Sequence, residues 1–204
     1  MNLPNKLTFS RLVLTPIGFF VFYFSTFKTI YGEPVFNTTI RIVLSVLFFL
    51  LLLYMEISDL IDGKIARKNG LVTDLGKVFD PFSDMFMHMS VFFAFVLSSF
   101  MPFWAFLICL YRELIMLFMR NLLSSKSVAF PANIFGKAKT MFFAITTFII
   151  TIYNIFSTWA QTRIRAVDII VYILCVLCAV MSLLSLVIYL INIRKSHILD
   201  DITR

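Results

Sequence analysis

The sequence predicts an all-α integral membrane protein, a bundle of six transmembrane helices with both termini in the cytoplasm. Three observations carry this reading. Of 204 residues, 60% are hydrophobic and only 14% charged, and the mean hydropathy is +0.94. A soluble domain of this size has no interior large enough for so much apolar surface. Six stretches approach the roughly 20 apolar residues that a span needs, at 7–27, 40–57, 78–100, 103–119, 138–155 and 167–193. The cationic residues, finally, are shared unevenly between the two sides that these spans would create.

Taken in order, the first span follows Pro4 and contains Arg11. It is too long for the apolar core of a secretory signal, so no cleavable leader is expected. Tyr31-Gly32-Glu33-Pro34 has turn character and leads to the second span, whose helix should continue beyond its apolar run to about Arg67. Lys68-Asn69-Gly70 breaks to the third span, and Phe130-Pro131-Ala132-Asn133 separates the fourth from the fifth. Cys175 and Cys178 form a C-x-x-C within the sixth, with no second pair or histidine nearby, and Cys109 is mid-span. All three read as packing residues, and the 25 phenylalanines as lipid-facing bulk. No internal repeat is visible and no room remains for a soluble domain, so residues 1–204 form one membrane domain.

Orientation follows from the positive-inside rule. With the N-terminus inside, 13 of the 18 Lys and Arg residues fall on the cytoplasmic side. Only Lys28, Arg41, Arg163 and Arg165 lie opposite, and Arg112 is within the fourth span. The net charge of +7 is accounted for by this topology and by attraction to anionic head groups. Nucleic-acid binding is not expected, because no soluble basic module exists. The chain is placed in the inner (cytoplasmic) membrane as a multi-pass protein.

Against this background four aspartates stand out: Asp59 and Asp62, spaced i, i+3, and Asp80 and Asp84, spaced i, i+4. Each pair would share a helix face. Carboxylates at membrane depth are costly and mark a site, and four on adjacent segments repel unless cations sit between them. A divalent-metal site is the reading. Gly63, Ala66 and Gly76 let a ligand or helix approach closely, and the planar fork of Arg67 suits a diphosphate. Together these residues suit a phosphorylated substrate whose charge divalent ions would neutralise.

The pattern D-x-x-D-G-x-x-A-R-x8-G-x-x-x-D-x-x-x-D, running from Asp59 to Asp84, resembles the signature of the CDP-alcohol phosphotransferases at all eight defined positions. The resemblance implies a six-helix membrane enzyme, with its active site facing the cytoplasm, that uses a CDP-linked donor and releases CMP. It implies two Mg2+ or Mn2+ ions held by Asp59, Asp62, Asp80 and Asp84, a donor site that includes Asp59, Gly63, Ala66, Arg67 and Gly76, and a homodimer. It also implies Asp84 as the base that takes the acceptor's proton. An aspartate of pKa near ~3.9 in water is a weak base for an alcohol, so the proton would move late, as the oxygen attacks phosphorus.

Further blocks narrow the resemblance. Asn2 to Arg11 with Pro16, the pair Asp80-Pro81, and Arg112-Glu113 with Arg120 and Gly136 to Thr140 resemble the bacterial branch that makes phosphatidylglycerophosphate. That branch implies CDP-diacylglycerol as donor and glycerol 3-phosphate as acceptor. Met85 stands where lysine is usual, and Phe82-Ser83 where Leu-Ala is usual. A dianionic acceptor needs cations near the metals, and Arg112, Arg120, Lys137 and Lys139 are the candidates. Lys137 and Lys139 are two apart, so one is read as a topology anchor. Arg112 alternatively pairs with Glu113 or with a motif carboxylate. His88, one turn after Asp84, either hydrogen-bonds to it or packs between helices. Asn5, Thr8 and Arg11 either line the cytoplasmic entrance or anchor the first helix at the interface.

Rival readings keep the chemistry and change the acceptor to serine, inositol or its phosphate, choline, or phosphatidylglycerol. Pro81 speaks against serine and the basic cluster for a phosphorylated acceptor. A divalent-cation transporter is the alternative of a different class, but a single motif without a repeat does not resemble duplicated carriers, and it leaves Gly63, Ala66 and Arg67 unexplained.

Overall fold

The computed structural model describes residues 3–28, 32–68, 74–125 and 134–195, with the side chains of Leu3, Ala66, Arg67, Lys68, Asp74, Leu75, Lys77, Ser124, Ser125, Ile134, Phe135, Lys137 and Lys195 outside that description. Six helices account for nearly all of it: α1 (Leu3–Thr26), α2 (Thr38–Lys68), α3 (Asp74–Leu97), α4 (Phe103–Ser125), α5 (Ile134–Ala160) and α6 (Arg165–Lys195). Local chemistry sets several ends. Gly32 turns the α1–α2 connection at φ 84°, a left-handed backbone that glycine adopts without a Cβ penalty. The Asn37 side chain then accepts the Ile40 N–H at 2.9 Å, capping α2. After α3, Ser99 takes φ 58°, and the Phe100 and Met101 N–H groups return to the Phe95 carbonyl. The expected turns at Asn69-Gly70 and Phe130–Asn133 lie outside the described residues.

Each helix packs against two neighbours in the cyclic order α1, α2, α5, α6, α4, α3, and α3 also touches α5 across the middle. The ring closes around an aromatic core. Phe22, Phe48, Phe92, Phe95 and Phe143 are fully buried, and their rings meet at 4.8–5.0 Å between α1 and α2, α1 and α3, and α3 and α5. The phenylalanines were expected as lipid-facing bulk; here they divide. Phe9, Phe20 and Phe118 do face outward, while the inward set fills a bundle centre that unbranched side chains of smaller volume would leave open. Cys109, Cys175 and Cys178 are free and buried in that core.

The outer surface is apolar. Val43, Leu60, Phe118, Ile169, Ile173 and Val187 are each at least half exposed, an arrangement that water would not tolerate over so many helices. Among the described residues four helical stretches are long and apolar enough to cross a membrane: Pro4–Thr26, Thr38–Ile65, Ala138–Ala160 and Arg165–Arg194. The other two expected spans, in α3 and α4, carry Asp80, Asp84 and His88, and Arg112, Glu113 and Arg120, which lower their mean hydropathy.

Candidate active site

The site forms at the bundle end where α1 and α3 begin and α2 finishes. Because α1 packs against both α2 and α3, side chains one helical turn apart on its first turns reach both aspartate pairs. Arg11 is fully buried there and spends its two terminal nitrogens on three carboxylates. One contacts Asp59; the other donates to Asp62 at 2.9 Å and to Asp80 at 2.7 Å. The Thr8 hydroxyl donates at 3.2 Å to the same Asp62 oxygen that accepts from Arg11. Ser83, fully buried, donates to the Thr8 carbonyl at 3.3 Å and ties α1 to α3.

Oxygens of Asp59, Asp62 and Asp80 all lie within 4.8 Å of one another. The Asp62 side chain is 3% exposed, while those of Asp59 and Asp80 are 34% and 47% exposed, so the cluster has a buried floor and an open side. Hard oxygen donors in this density suit a divalent cation. Three carboxylates against one guanidinium leave a net charge of two negative units, which one such ion neutralises.

Asp84 lies outside that trio. His88 Nδ1 is 3.1 Å from its carboxylate and 3.1 Å from its backbone carbonyl, so of the two roles open to His88 the hydrogen-bonding one is seen. The far side of the imidazole faces Glu56, whose carboxylate lies 3.5 Å from Nε2. His88 is buried and stands between Glu56 on α2 and Asp84 one turn earlier on α3.

The candidate acceptor cations separate. Lys139 is buried, donating to Glu113 at 2.6 Å and lying 4.4 Å from the centre of the Phe143 ring. Arg112 is buried beside it, donating to the same Glu113 oxygen at 2.8 Å and to Ser185 at 3.0 Å. The ion pair with Glu113, one of the alternatives for Arg112, is therefore present. Two cations share one carboxylate, leaving a positive excess. Arg120 is exposed. Gly63 and Gly76 are partly exposed at the rim, and the side chains of Ala66, Arg67 and Lys137 lie outside the described residues.

Sequence reading missed Arg11 as the centre of the cluster, and missed Glu56 altogether. Signals existed for both. Thr8 and Arg11 are spaced i, i+3 at the start of a span, and Glu56, Asp59 and Asp62 repeat every three residues, along one helix face.

Comparison with known proteins agrees with this geometry. The sequence model for "CDP-alcohol phosphatidyltransferase" matches residues 1–184. A Treponema pallidum protein named CDP-diacylglycerol–glycerol-3-phosphate 3-phosphatidyltransferase is 32% identical over 179 residues, covering 85% of this chain and 82% of its own. A Bacillus subtilis protein of the same name is 29% identical over 154 residues, 76% and 78% of the two chains. A Streptomyces coelicolor protein named cardiolipin synthase (CMP-forming) is 28% identical over 141 residues, 69% and 60%. A match across nine-tenths of the length, on a helical bundle that gathers the motif's aspartates at one end, leaves one conclusion: the chain belongs to the CDP-alcohol phosphatidyltransferase family.

Proposed function

We propose that this protein transfers the phosphatidyl group of CDP-diacylglycerol to glycerol 3-phosphate, giving phosphatidylglycerophosphate and CMP. The observation that carries the reading is the convergence of Asp59, Asp62 and Asp80 within 4.8 Å, in a chain whose relatives bear the name of that activity. Asp59, Asp62 and Asp80, with Asp84, would hold Mg2+ or Mn2+. When bound, divalent ions neutralise the diphosphate and its leaving group.

The chain's own residues do the rest. Gly63, Ala66, Arg67 and Gly76 line the place of the CDP moiety, with Arg67 gripping the diphosphate. The acceptor hydroxyl oxygen bonds to the phosphorus that carries diacylglycerol, the bond from that phosphorus to the bridging oxygen breaks, and CMP leaves with the electron pair. Asp84 takes the hydroxyl proton, and His88, 3.1 Å from its carboxylate, fixes the carboxylate's direction. Arg112 and Lys139 exceed Glu113 in charge and draw in the acceptor phosphate, aided by Arg120 and Lys137. In the same reading all six helices span the inner membrane, the site faces the cytoplasm, residues 1–204 act as one domain, and two chains pair as a homodimer.

Purified protein given CDP-diacylglycerol and a panel of alcohols, scored by CMP release, tests this. Glycerol 3-phosphate should be preferred, and chelating divalent ions should stop turnover. Preference for phosphatidylglycerol would support the cardiolipin-forming reading that one relative's name suggests. Preference for serine or inositol would also overturn the acceptor assignment while leaving the aspartate chemistry standing.

A further inference from the structure

At the end of the bundle away from the aspartates, the C-terminal ends of α1, α3 and α5 and the start of α2 enclose an open polar cavity of about 690 Å³. Its most informative wall residue is Arg41. The side chain is half-buried, and its Nε donates to the Ser25 carbonyl at 2.9 Å. Glu33 and Lys28 also line the cavity, but among the described residues no carboxylate lies within ion-pair distance of Arg41, and its other guanidinium nitrogens make no hydrogen bond there. Arg163 on the same wall differs, since it is paired with Asp168 at 2.8 Å and stacked on the Phe100 ring at 4.6 Å.

Arg41 is also poorly placed electrostatically. It sits one turn into α2, where the helix macrodipole is positive and disfavours a cation. A partly desolvated charge without a counter-ion is costly, and an anion in the cavity would answer both problems. The floor is rigid enough to hold one. Buried Asn154 donates to the hydroxyls of Ser25 at 3.4 Å and Ser45 at 3.0 Å, tying α5 to α1 and α2 beside Arg41. Hydroxyl groups of Thr26 and Ser98 lie on the same wall, 2.6 Å apart, while Phe27 and Leu97 add an apolar side. Cation, hydroxyls and apolar wall at a helix-end level match an ester phosphate with its glycerol stem, because that is the depth of lipid head groups.

We propose that this cavity binds the phosphate of an anionic phospholipid through Arg41, at a site separate from the aspartates. The test uses the full chain in detergent with Thr162→Cys at the rim, where the three native cysteines are buried and contribute little labelling. Dihexanoyl phosphatidylglycerol should slow maleimide labelling of that cysteine in a saturable way, and dihexanoyl phosphatidylcholine should not. Arg41→Gln should weaken the protection at least about tenfold, equal to about 1.4 kcal/mol, while Arg41→Lys should keep part of it. Ser99→Asp, compatible with the left-handed backbone there, should also weaken it by adding negative charge; it serves if Arg41→Gln fails to fold. Equal protection in wild type and the folded variants, or none in wild type, overturns the proposal. Protection by inorganic phosphate at the same concentration as lipid would overturn the lipid assignment and make this a free-phosphate site. The readout is independent of turnover, so it stands apart from the acceptor assignment.

Discussion

Removing Arg11 would leave Asp59, Asp62 and Asp80 facing one another within 4.8 Å with no cation paired to them among the described residues. Breaking a buried ion pair on one side costs about 3–5 kcal/mol, and the lower figure applies because two of the three carboxylates are partly exposed. Arg11→Gln should therefore lower the thermal midpoint of metal-free protein. Added Mg2+ or Mn2+ should then raise that midpoint by more than it does in wild type, since the metal no longer competes with a guanidinium. A midpoint gap unchanged by the mutation would mean that Arg11 and the ion do not share the carboxylates. The aspartates themselves were legible because their spacing is rigid: i, i+3 and i, i+4 place side chains on one helix face whatever the tertiary fold. Arg11 was not, because its partners lie 48 to 69 residues away and only helix packing brings them together. The same limit applies to Lys137 and Lys139, where spacing shows that two lysines diverge but not which one turns inward.

At the scale of elements, the site depends on how closely α1 and α3 approach. Ser83 sits at their contact with no exposure, its hydroxyl on the Thr8 carbonyl. Ser83→Ala removes one hydrogen bond to a carbonyl and should cost about 1 kcal/mol. It should leave the metal requirement for turnover unchanged. Ser83→Leu adds volume where none is free, which costs about 1–3 kcal/mol. It also pushes Asp80 on α3 away from Arg11 on α1, so half-maximal turnover should need several-fold more Mg2+. Thermal unfolding together with a Mg2+ titration of turnover separates the two effects. Equal metal requirements in both variants would mean that the helix spacing does not set the carboxylate geometry. The six helices were legible from their apolar runs, and the extension of α2 to Lys68 was expected from the motif's helical spacing. The division of the phenylalanines was not, because inward and outward faces of a membrane helix are equally apolar and periodicity cannot tell them apart.

For the whole molecule the six-span proposal turns on α3 and α4 crossing the membrane with the other four. Their lengths of 24 and 23 residues correspond to about 36 and 34 Å at 1.5 Å per residue, enough for a hydrocarbon core of about 30 Å. Their charged residues need not meet lipid. Arg112 and Glu113 are buried within the bundle, whereas Tyr111, Leu114, Ile115 and Phe118 on the same helix face outward. Burial of this kind is how spanning helices carry ionisable groups, and a hydropathy window that averages both faces cannot register it. The two alternatives place one connection on opposite sides. With six spans, Ser99 between α3 and α4 lies outside with Thr162; with only α1, α2, α5 and α6 crossing, Ser99 lies in the cytoplasm with Lys64. Spheroplasts expressing single-site Ser99→Cys, Thr162→Cys or Lys64→Cys protein, treated with a membrane-impermeant maleimide, distinguish them. Ser99→Cys and Thr162→Cys should label before permeabilisation and Lys64→Cys only after it. Labelling of Ser99→Cys together with Lys64→Cys would reduce the spans to four, and labelling of Lys64→Cys alone before permeabilisation would invert the orientation. In the inverted case the aspartates would face away from the cytoplasmic pool of glycerol 3-phosphate, and the proposed acceptor would fail with the topology.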